Sequence, residues 1–305
     1  MFIEELYRSV AGGNYRSLAR AISIVENESE GHQQYLKLLQ FDKSPPVIGV
    51  TGPPGAGKSS LVNSMIDVLL NQKSKIAILA VDPTSPFNYG ALLGDRIRLS
   101  KHFNNPDIYI RSLATRGSLG GLSGKIIEVV DVVKTAPFDY IFVETVGVGQ
   151  SEVEIAGLAD TTIVVMVPEA GDDIQTMKSG IMEIADIFVV NKADRENADM
   201  FVYNLSKMLH EKPADDWTVP VIKTIAKTNI EPLGIEELIL QIQLHGQYSR
   251  NHPKKAYLLA QKALHLIQNQ RMKDIDQRQL IRQIEDELKK NSPFNLYRFV
   301  EKFQL

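Results

Sequence analysis

From residue 47 to about 245 the chain alternates short, continuously apolar runs with longer stretches of helical periodicity. The apolar runs predict strands at 47–51, 75–81, 108–113, 139–144, 161–167, 186–191 and 219–223. They are rich in Val and Ile and lack the polar alternation of a half-exposed strand, as expected of parallel strands covered on both faces. Helical patterns fall at about 58–71, 122–135, 174–184, 196–210 and 233–245. This alternation predicts an α/β fold with a mostly parallel sheet and helices on both faces.

The two ends are patterned differently. Leu6, Val10, Leu18, Ala21, Ile22 and Ile24 form a helical stripe broken at Gly12-Gly13, with Arg16, Arg20 and Lys37 on solvated faces. Ser44-Pro45-Pro46 ends that region, because the residue before a proline is pushed out of the helical region. After His245-Gly246 a charged helical pattern returns, with Leu258, Leu259, Ala263, Leu264, Ile267, Ile275, Leu280, Ile281, Ile284 and Leu288 apolar, and Asn291-Ser292-Pro293 precedes a last short helix. The predicted organisation is an N-terminal helical arm over 1–45, an α/β domain over 46–247 and a C-terminal helical extension over 248–305. The apolar stripe of the extension needs a partner surface, either its own α/β domain or a second copy of the chain.

The first strand run opens into Gly52-Pro53-Pro54-Gly55-Ala56-Gly57-Lys58-Ser59-Ser60, a phosphate-binding P-loop in the strand–loop–helix context the motif requires. Its glycines let backbone N–H groups turn inward around a di- or triphosphate. Lys58 places a point charge near the β- and γ-phosphates, and Ser59 offers a hydroxyl to Mg²⁺. The helix that follows adds its N-terminal partial positive charge. The bland reading, a structural glycine turn, is disfavoured by the flanking run and helix.

The late strand run ends in Asn191-Lys192-Ala193-Asp194. A carboxylate there accepts two hydrogen bonds, from N1–H and the exocyclic amine of guanine. Adenine lacks that donor pair, and leaving Asp194 desolvated against it costs about 1–3 kcal/mol or more. Asn191 is placed to brace the P-loop, and the Lys192 stem to lie over the base. GTP and GDP are therefore expected rather than ATP. After the next strand, Thr224-Ile225-Ala226 stands where GTPases carry Ser-Ala, with Ile225 in place of Ser; the Ala226 N–H contact to guanine O6 needs no particular side chain.

Two further strand ends carry acids. Glu144, followed by Gly147, keeps the Asp-x-x-Gly spacing with a longer acid that reaches Mg²⁺ directly or through water, while the Gly147 N–H approaches the γ-phosphate. Val148 stands where many GTPases place a glutamine that orients the attacking water, so slow hydrolysis without a partner is expected. Asp82 ends the 75–81 run, and Asp95 lies in the segment beyond, with Arg96 and Arg98 beside it; caps and surface ion pairs are the competing readings. The glycine-rich stretch from Ala114 to Ser123 reads as a lid or partner-facing loop.

Composition narrows the picture modestly. With 305 residues, 44% hydrophobic and 23% charged, the chain has ordinary globular composition and enough length for a substantial core. A net charge of −3 gives no push toward nucleic acid or an anionic membrane. The absence of cysteine excludes disulfides and cysteine-ligated metals. The acidic start Met1-Phe2-Ile3-Glu4-Glu5-Leu6 is unlike a signal peptide, and no apolar run approaches the about 20 residues of a membrane span, so a cytoplasmic location is expected.

Taken together, Gly52–Ser59, Val81-Asp82-Pro83-Thr84-Ser85, Leu93-Gly94-Asp95-Arg96, Thr115–Gly121, Val143–Glu152 and Asn191–Asp194, with Leu18–Ser23 in the arm, resemble the MeaB/ArgK/MMAA-type GTPases. The resemblance implies a GTP-hydrolysing chaperone of adenosylcobalamin-dependent acyl-CoA mutases, chiefly methylmalonyl-CoA mutase, that gates cofactor loading. It implies that Asp82, Asp95 and Glu144 surround Mg²⁺ and the γ-phosphate. It further implies a third switch in the segment from Pro168 to Lys178, including Asp172, Asp173, Gln175 and Lys178, and a homodimer through the C-terminal helices. Two other classes stay in view. One is a small-molecule kinase of the arginine/ornithine transport type, for which no acceptor-site motif is evident. The other is a nickel-insertion GTPase, poorly matched by six scattered His and no Cys.

Overall fold

The computed structural model describes residues 2–41, 44–82, 99–114, 125–145, 155–171, 179–210, 217–226, 232–250, 254–272, 275, 277–289 and 294–303. They form two compact units, Met1–Lys255 and Ala256–Leu305.

The first unit is built on a parallel sheet: β1 (Val47–Thr51), β2 (Ile76–Asp82), β3 (Ile108–Ala114), β4 (Tyr140–Glu144), β5 (Thr161–Met166), β6 (Ile187–Asn191) and β7 (Val221–Thr224). The order is β3-β2-β4-β1-β5-β6-β7, with β1 between β4 and β5. Successive side chains of one strand leave on opposite faces, and both faces are covered. Val47, Ala77, Leu79, Val81, Ile141 and Val143 enter one core cluster. Ile48, Val50, Ile76, Ile78 and Phe142 enter the other. This double coverage is why the strands read as unbroken apolar runs.

The N-terminal arm covers the first of these faces. Helices α1 (Phe2–Ala11), α2 (Tyr15–Glu26) and α3 (His32–Lys37) share that cluster with the strands. Asn14 caps α2 by accepting from the Ser17 N–H at 3.0 Å. Leu18, Ala21, Ile22 and Val25 are buried at helical spacing; Val25 takes the inward position and Ile24 is only half-buried. Each fully buried Leu18 or Ile22 side chain stabilises by about 1.5–3 kcal/mol. The opposite face is covered by α4 (Lys58–Asn71) and by a long helix near the end of the unit, Ile235–Arg250. Between them in sequence lie α5 (Ile126–Lys134), α6 (Ser179–Ile184) and α7 (Ala198–His210), and Ile235–Arg250 is α8.

Most strand and helix ends shift by one or two residues from expectation, and two of the departures have a clear physical cause. The strand expected from 219 begins at Val221, because Pro220 has no N–H for the ladder. The helix expected to end at 245 runs through Gly246 to Arg250. Its last turns are anchored: Thr161 Oγ1 lies 2.8 Å from His245 Nδ1, and His245 Nε2 lies 3.3 Å from Asp186 Oδ1. The Trp217 indole donates to the Asp186 carbonyl at 2.9 Å and stacks on Tyr248. These contacts supply what Gly246 alone would not.

Gly49 illustrates how tightly the sheet is covered. A Cβ there would lie 2.7 Å from Ile155 Cγ1 and 3.0 Å from Ala159 Cβ. Gly49→Ala is expected to cost about 1–3 kcal/mol through overpacking; an unchanged urea midpoint would show that the Ile155–Gly157 turn simply shifts.

His102 gives the fold a pH dependence. It is buried, and burial, with Lys101 beside it, holds its pKa below the ordinary 6.5, while Asp67 opposes the shift. The unfolded chain then takes up a proton that the native state refuses, so this contribution is intact above about pH 6.5 and is lost as pH falls below it. Urea titrations of His102→Leu are expected to show a flatter loss of stability on acidification than the parent; parallel curves would remove the assignment.

The second unit carries α9 (Lys254–Arg271, whose first turn lies at the junction), α10 (Gln277–Leu288) and α11 (Leu296–Glu301). Asn295 caps α11, and Lys302 reaches back to Glu287 on α10 at 2.9 Å while lying over the Phe299 ring. Leu259, Leu264, Ile267, Ile281 and Leu288 are exposed. Among the described residues no helix is long and apolar enough to cross a membrane.

Candidate nucleotide site

Among the described residues, Lys58, Ser59, Glu144, Asn191, Lys192 and Asp194 lie at or just beyond the carboxyl ends of β1, β4 and β6, where an open parallel sheet places its ligand. β1 runs directly into the P-loop. Gly52 has φ of +137°, and a Cβ on it would sit 2.1 Å from the Val165 carbonyl oxygen of β5. Gly57 has φ of +86°, and a Cβ there would meet Asn191 Nδ2 at 2.4 Å. No other residue fits either position. The loop is thus wedged between β5 and the end of β6, and it turns into α4 at Lys58 with no side chain capping the helix. The N–H groups of a helix's first turn have no partner within the helix, a donor set suited to phosphate.

Lys58 is buried and its ammonium donates to the Gly52 carbonyl at 2.7 Å and the Pro53 carbonyl at 3.0 Å. Pro53 O also accepts from the Ala56 N–H, closing the turn over exposed Pro54 and Gly55. Ser59 Oγ donates to Glu144 Oε1 at 2.6 Å, both side chains being buried. The register Val50↔Glu144 puts that acid beside the root of the loop. A buried hydroxyl and carboxylate facing each other at the loop's edge are hard oxygen donors that fit Mg²⁺. Ser60 lies on the exposed side of α4.

The Asn191–Asp194 segment is tied to the same loop. Asn191 Nδ2 donates to the Ala56 carbonyl at 2.9 Å. Lys192, with φ of +59°, donates from Nζ to the Gly55 carbonyl at 2.7 Å. Asp194 is exposed in the turn closed by the Arg195 N–H to the Lys192 carbonyl. Ala226 follows β7 and is buried, and Ile225 pairs with Leu233 in an antiparallel bridge beside it.

Not every sequence-derived site residue is placed. Asp82 closes β2 opposite Ala114, and its side chain is outside the description. Asp95, Gly147, Asp172, Asp173, Gln175 and Lys178 lie outside the described residues, as do Val148 and the stretch from Thr115 to Ser123.

Some residues that shape the site escaped sequence reading. Thr224, fully buried, donates from Oγ1 to Asn191 Oδ1 at 3.1 Å and so fixes which way that amide points. Thr145 donates to Thr51 Oγ1 at 3.0 Å, pinning the end of β4 to the end of β1. A threonine at a strand end is the only signal for either, and it is a common one. Glu169 pairs with Arg195, joining the segments that leave β5 and β6; the family resemblance includes Glu169 in the Pro168–Lys178 segment without giving it a role, and Arg195 falls just after the Asn191–Asp194 motif.

An open parallel sheet whose central strand runs into such a loop, with a guanine-type Asn-Lys-Ala-Asp strand end bonded to it, defines the class of P-loop GTPases. Comparison with known proteins narrows the class to a family. A family model described as "Methylmalonyl Co-A mutase-associated GTPase MeaB" matches residues 18–284. PH0274 of Pyrococcus horikoshii is 45% identical over 259 residues, which span 83% of this chain and 81% of that one. The fused isobutyryl-CoA mutase of Geobacillus kaustophilus is 37% identical over 246 residues, 75% of this chain and 22% of that longer protein. Among solved structures, that of a LAO/AO transport system kinase superposes with a TM-score of 0.68 and 25% identity, covering 99% of this chain and 96% of that one. The chain belongs to the MeaB/ArgK family of GTP-hydrolysing P-loop GTPases. Binding of GTP with Mg²⁺ is typical of that family.

Proposed function

We propose that this GTPase is a cytoplasmic, nucleotide-timed chaperone of an adenosylcobalamin-dependent acyl-CoA mutase, with methylmalonyl-CoA mutase as its client. The observation that carries the reading is the alignment of three quarters of the chain with 22% of a fused isobutyryl-CoA mutase. A homologous segment inside a polypeptide named for a mutase is what a working contact between the two activities produces. The description of the family, which names a mutase, supports it further.

In this reading the loop from Gly52 to Ser60 holds the phosphates, with Lys58 moving from its own carbonyls to the β- and γ-phosphates. Asn191, Lys192, Asp194 and Ala226 hold guanine. Ser59 and Glu144, with Asp82 and Asp95, would hold Mg²⁺, which neutralises developing phosphate charge when bound. Hydrolysis joins a water oxygen to the γ-phosphorus and breaks the bond to the β–γ bridging oxygen, releasing GDP and phosphate. The work of the protein is positioning and charge stabilisation. With Val148 in the usual glutamine position, turnover is slow until the client engages Asp172, Asp173, Gln175 and Lys178. The exposed apolar side chains of α9 and α10 support a homodimer through the second unit.

The test is capture of purified mutases by the full chain in GDP and in a non-hydrolysable GTP analogue, with phosphate release measured in parallel. Nucleotide-dependent capture and faster hydrolysis with methylmalonyl-CoA mutase are expected. A response to isobutyryl-CoA mutase alone would change the client, and a response to neither would remove the chaperone reading. The similarity to a structure named as a transport system kinase favours one competitor. Transfer of labelled γ-phosphate to arginine or ornithine, in place of release as inorganic phosphate, would establish that reading instead.

A further inference from the structure

We infer that Glu169 is a specificity-determining residue that holds the Arg195 guanidinium away from the carboxylate of Asp194. The inference rests on the proposed assignment of Asp194 to guanine.

The geometry comes from the order of the sheet. β5 lies beside β6 in the register Met166↔Val190, so the chain leaving β5 emerges next to the chain leaving β6. Glu169, on the turn Pro168–Gly171, thereby meets the turn that carries Asp194 and Arg195. Arg195 Nη1 donates to Glu169 Oε1. Glu169 stays ionised, its pKa held below the ordinary 4.5 first by its own backbone N–H and then by Arg195, with Lys192 adding to the effect. Arg195 is the cation that Glu169 contacts, while the Lys192 ammonium is bonded to the Gly55 carbonyl.

The pair is exposed on both sides, at 43% for Arg195 and 51% for Glu169. Exposed pairs of this kind contribute little to stability because solvent screens them. The consequence of this pair is where it keeps the guanidinium. Arg195 is the neighbour in sequence of the acid proposed to accept two donors from guanine. A planar guanidinium with several N–H donors is a strong competitor for a carboxylate. Bound to Glu169, it does not compete.

The sign of the mutant effects separates this role from a simple strut. Glu169→Gln is expected to release Arg195 and raise the Kd for GDP about three- to tenfold, as a charge-assisted contact becomes shared. The preference for GDP over IDP, which lacks the exocyclic amine, is expected to shrink with it. Arg195→Gln alone is expected to bind like the parent, and Glu169→Gln with Arg195→Gln is expected to restore the parent's affinity and preference. The measurement is displacement of a fluorescent GDP analogue by GDP, IDP and ADP, with thermal midpoints as a control. If Arg195→Gln weakens binding as much as Glu169→Gln, the pair is a strut and the inference is overturned; unchanged binding in Glu169→Gln overturns it as well. A parent protein with no preference for GDP over ADP would instead defeat the guanine assignment beneath it.

Discussion

Lys58→Ala is expected to weaken GTP and GDP binding by about thirtyfold or more. The Lys58 ammonium is buried at the root of the loop, held by the Gly52 and Pro53 carbonyls 2.7 and 3.0 Å away. Phosphate would replace those neutral acceptors with charged ones in the same low-dielectric setting. Truncating one partner of such a buried, hydrogen-bonded charge pair costs about 2–5 kcal/mol, or about thirty- to several-thousandfold in Kd. Folding stability should fall less, by up to about 1–3 kcal/mol, because the Gly52 carbonyl forfeits this donor. Calorimetric titration well below the melting temperature separates the two effects. An unchanged Kd in a folded variant would refute the placement of phosphate in this loop.

What could be read in advance follows the range of the interactions involved. The strand runs were legible because two covered faces demand apolar residues at every position, as Ile48 and Val50 on one side of β1 and Val47 on the other show. The P-loop was legible because Gly52 and Gly57 answer a local demand, a backbone conformation and a close approach that a Cβ would block. The end of α8 was not, since its continuation past Gly246 depends on Thr161, Asp186 and Trp217, all distant in sequence. The same holds at the site. Thr224 orients Asn191 across 33 positions and Glu169 meets Arg195 across 26. Both contacts exist because β6 lies between β5 and β7, a neighbour relation set by packing.

Asp194→Asn is expected to move the preference of the protein from guanine to xanthine. On the proposed assignment the Asp194 carboxylate accepts from N1–H and from the exocyclic amine. An asparagine keeps one acceptor but turns a donor toward that amine, leaving two donors face to face. Xanthine carries an oxygen at that position, and the same amide then makes both bonds. Sites built to hydrogen-bond a polar group reject ligands that leave it unpaired by about 10⁴-fold or more when the site is fully closed. Because Asp194 is exposed, a loss of about 10²- to 10³-fold for GDP is expected. Asn191 and Lys192 are bonded to Ala56 and Gly55 through their own side chains, so the substitution is expected to leave the loop that takes the phosphates undisturbed, and XDP should bind about as well as GDP binds the parent. Competition of GDP and XDP against a fluorescent diphosphate reads both changes at once. Equal losses for the two nucleotides would mean that the substitution deformed the segment, whereas no change in the GDP to XDP ratio would take the base-reading role away from Asp194.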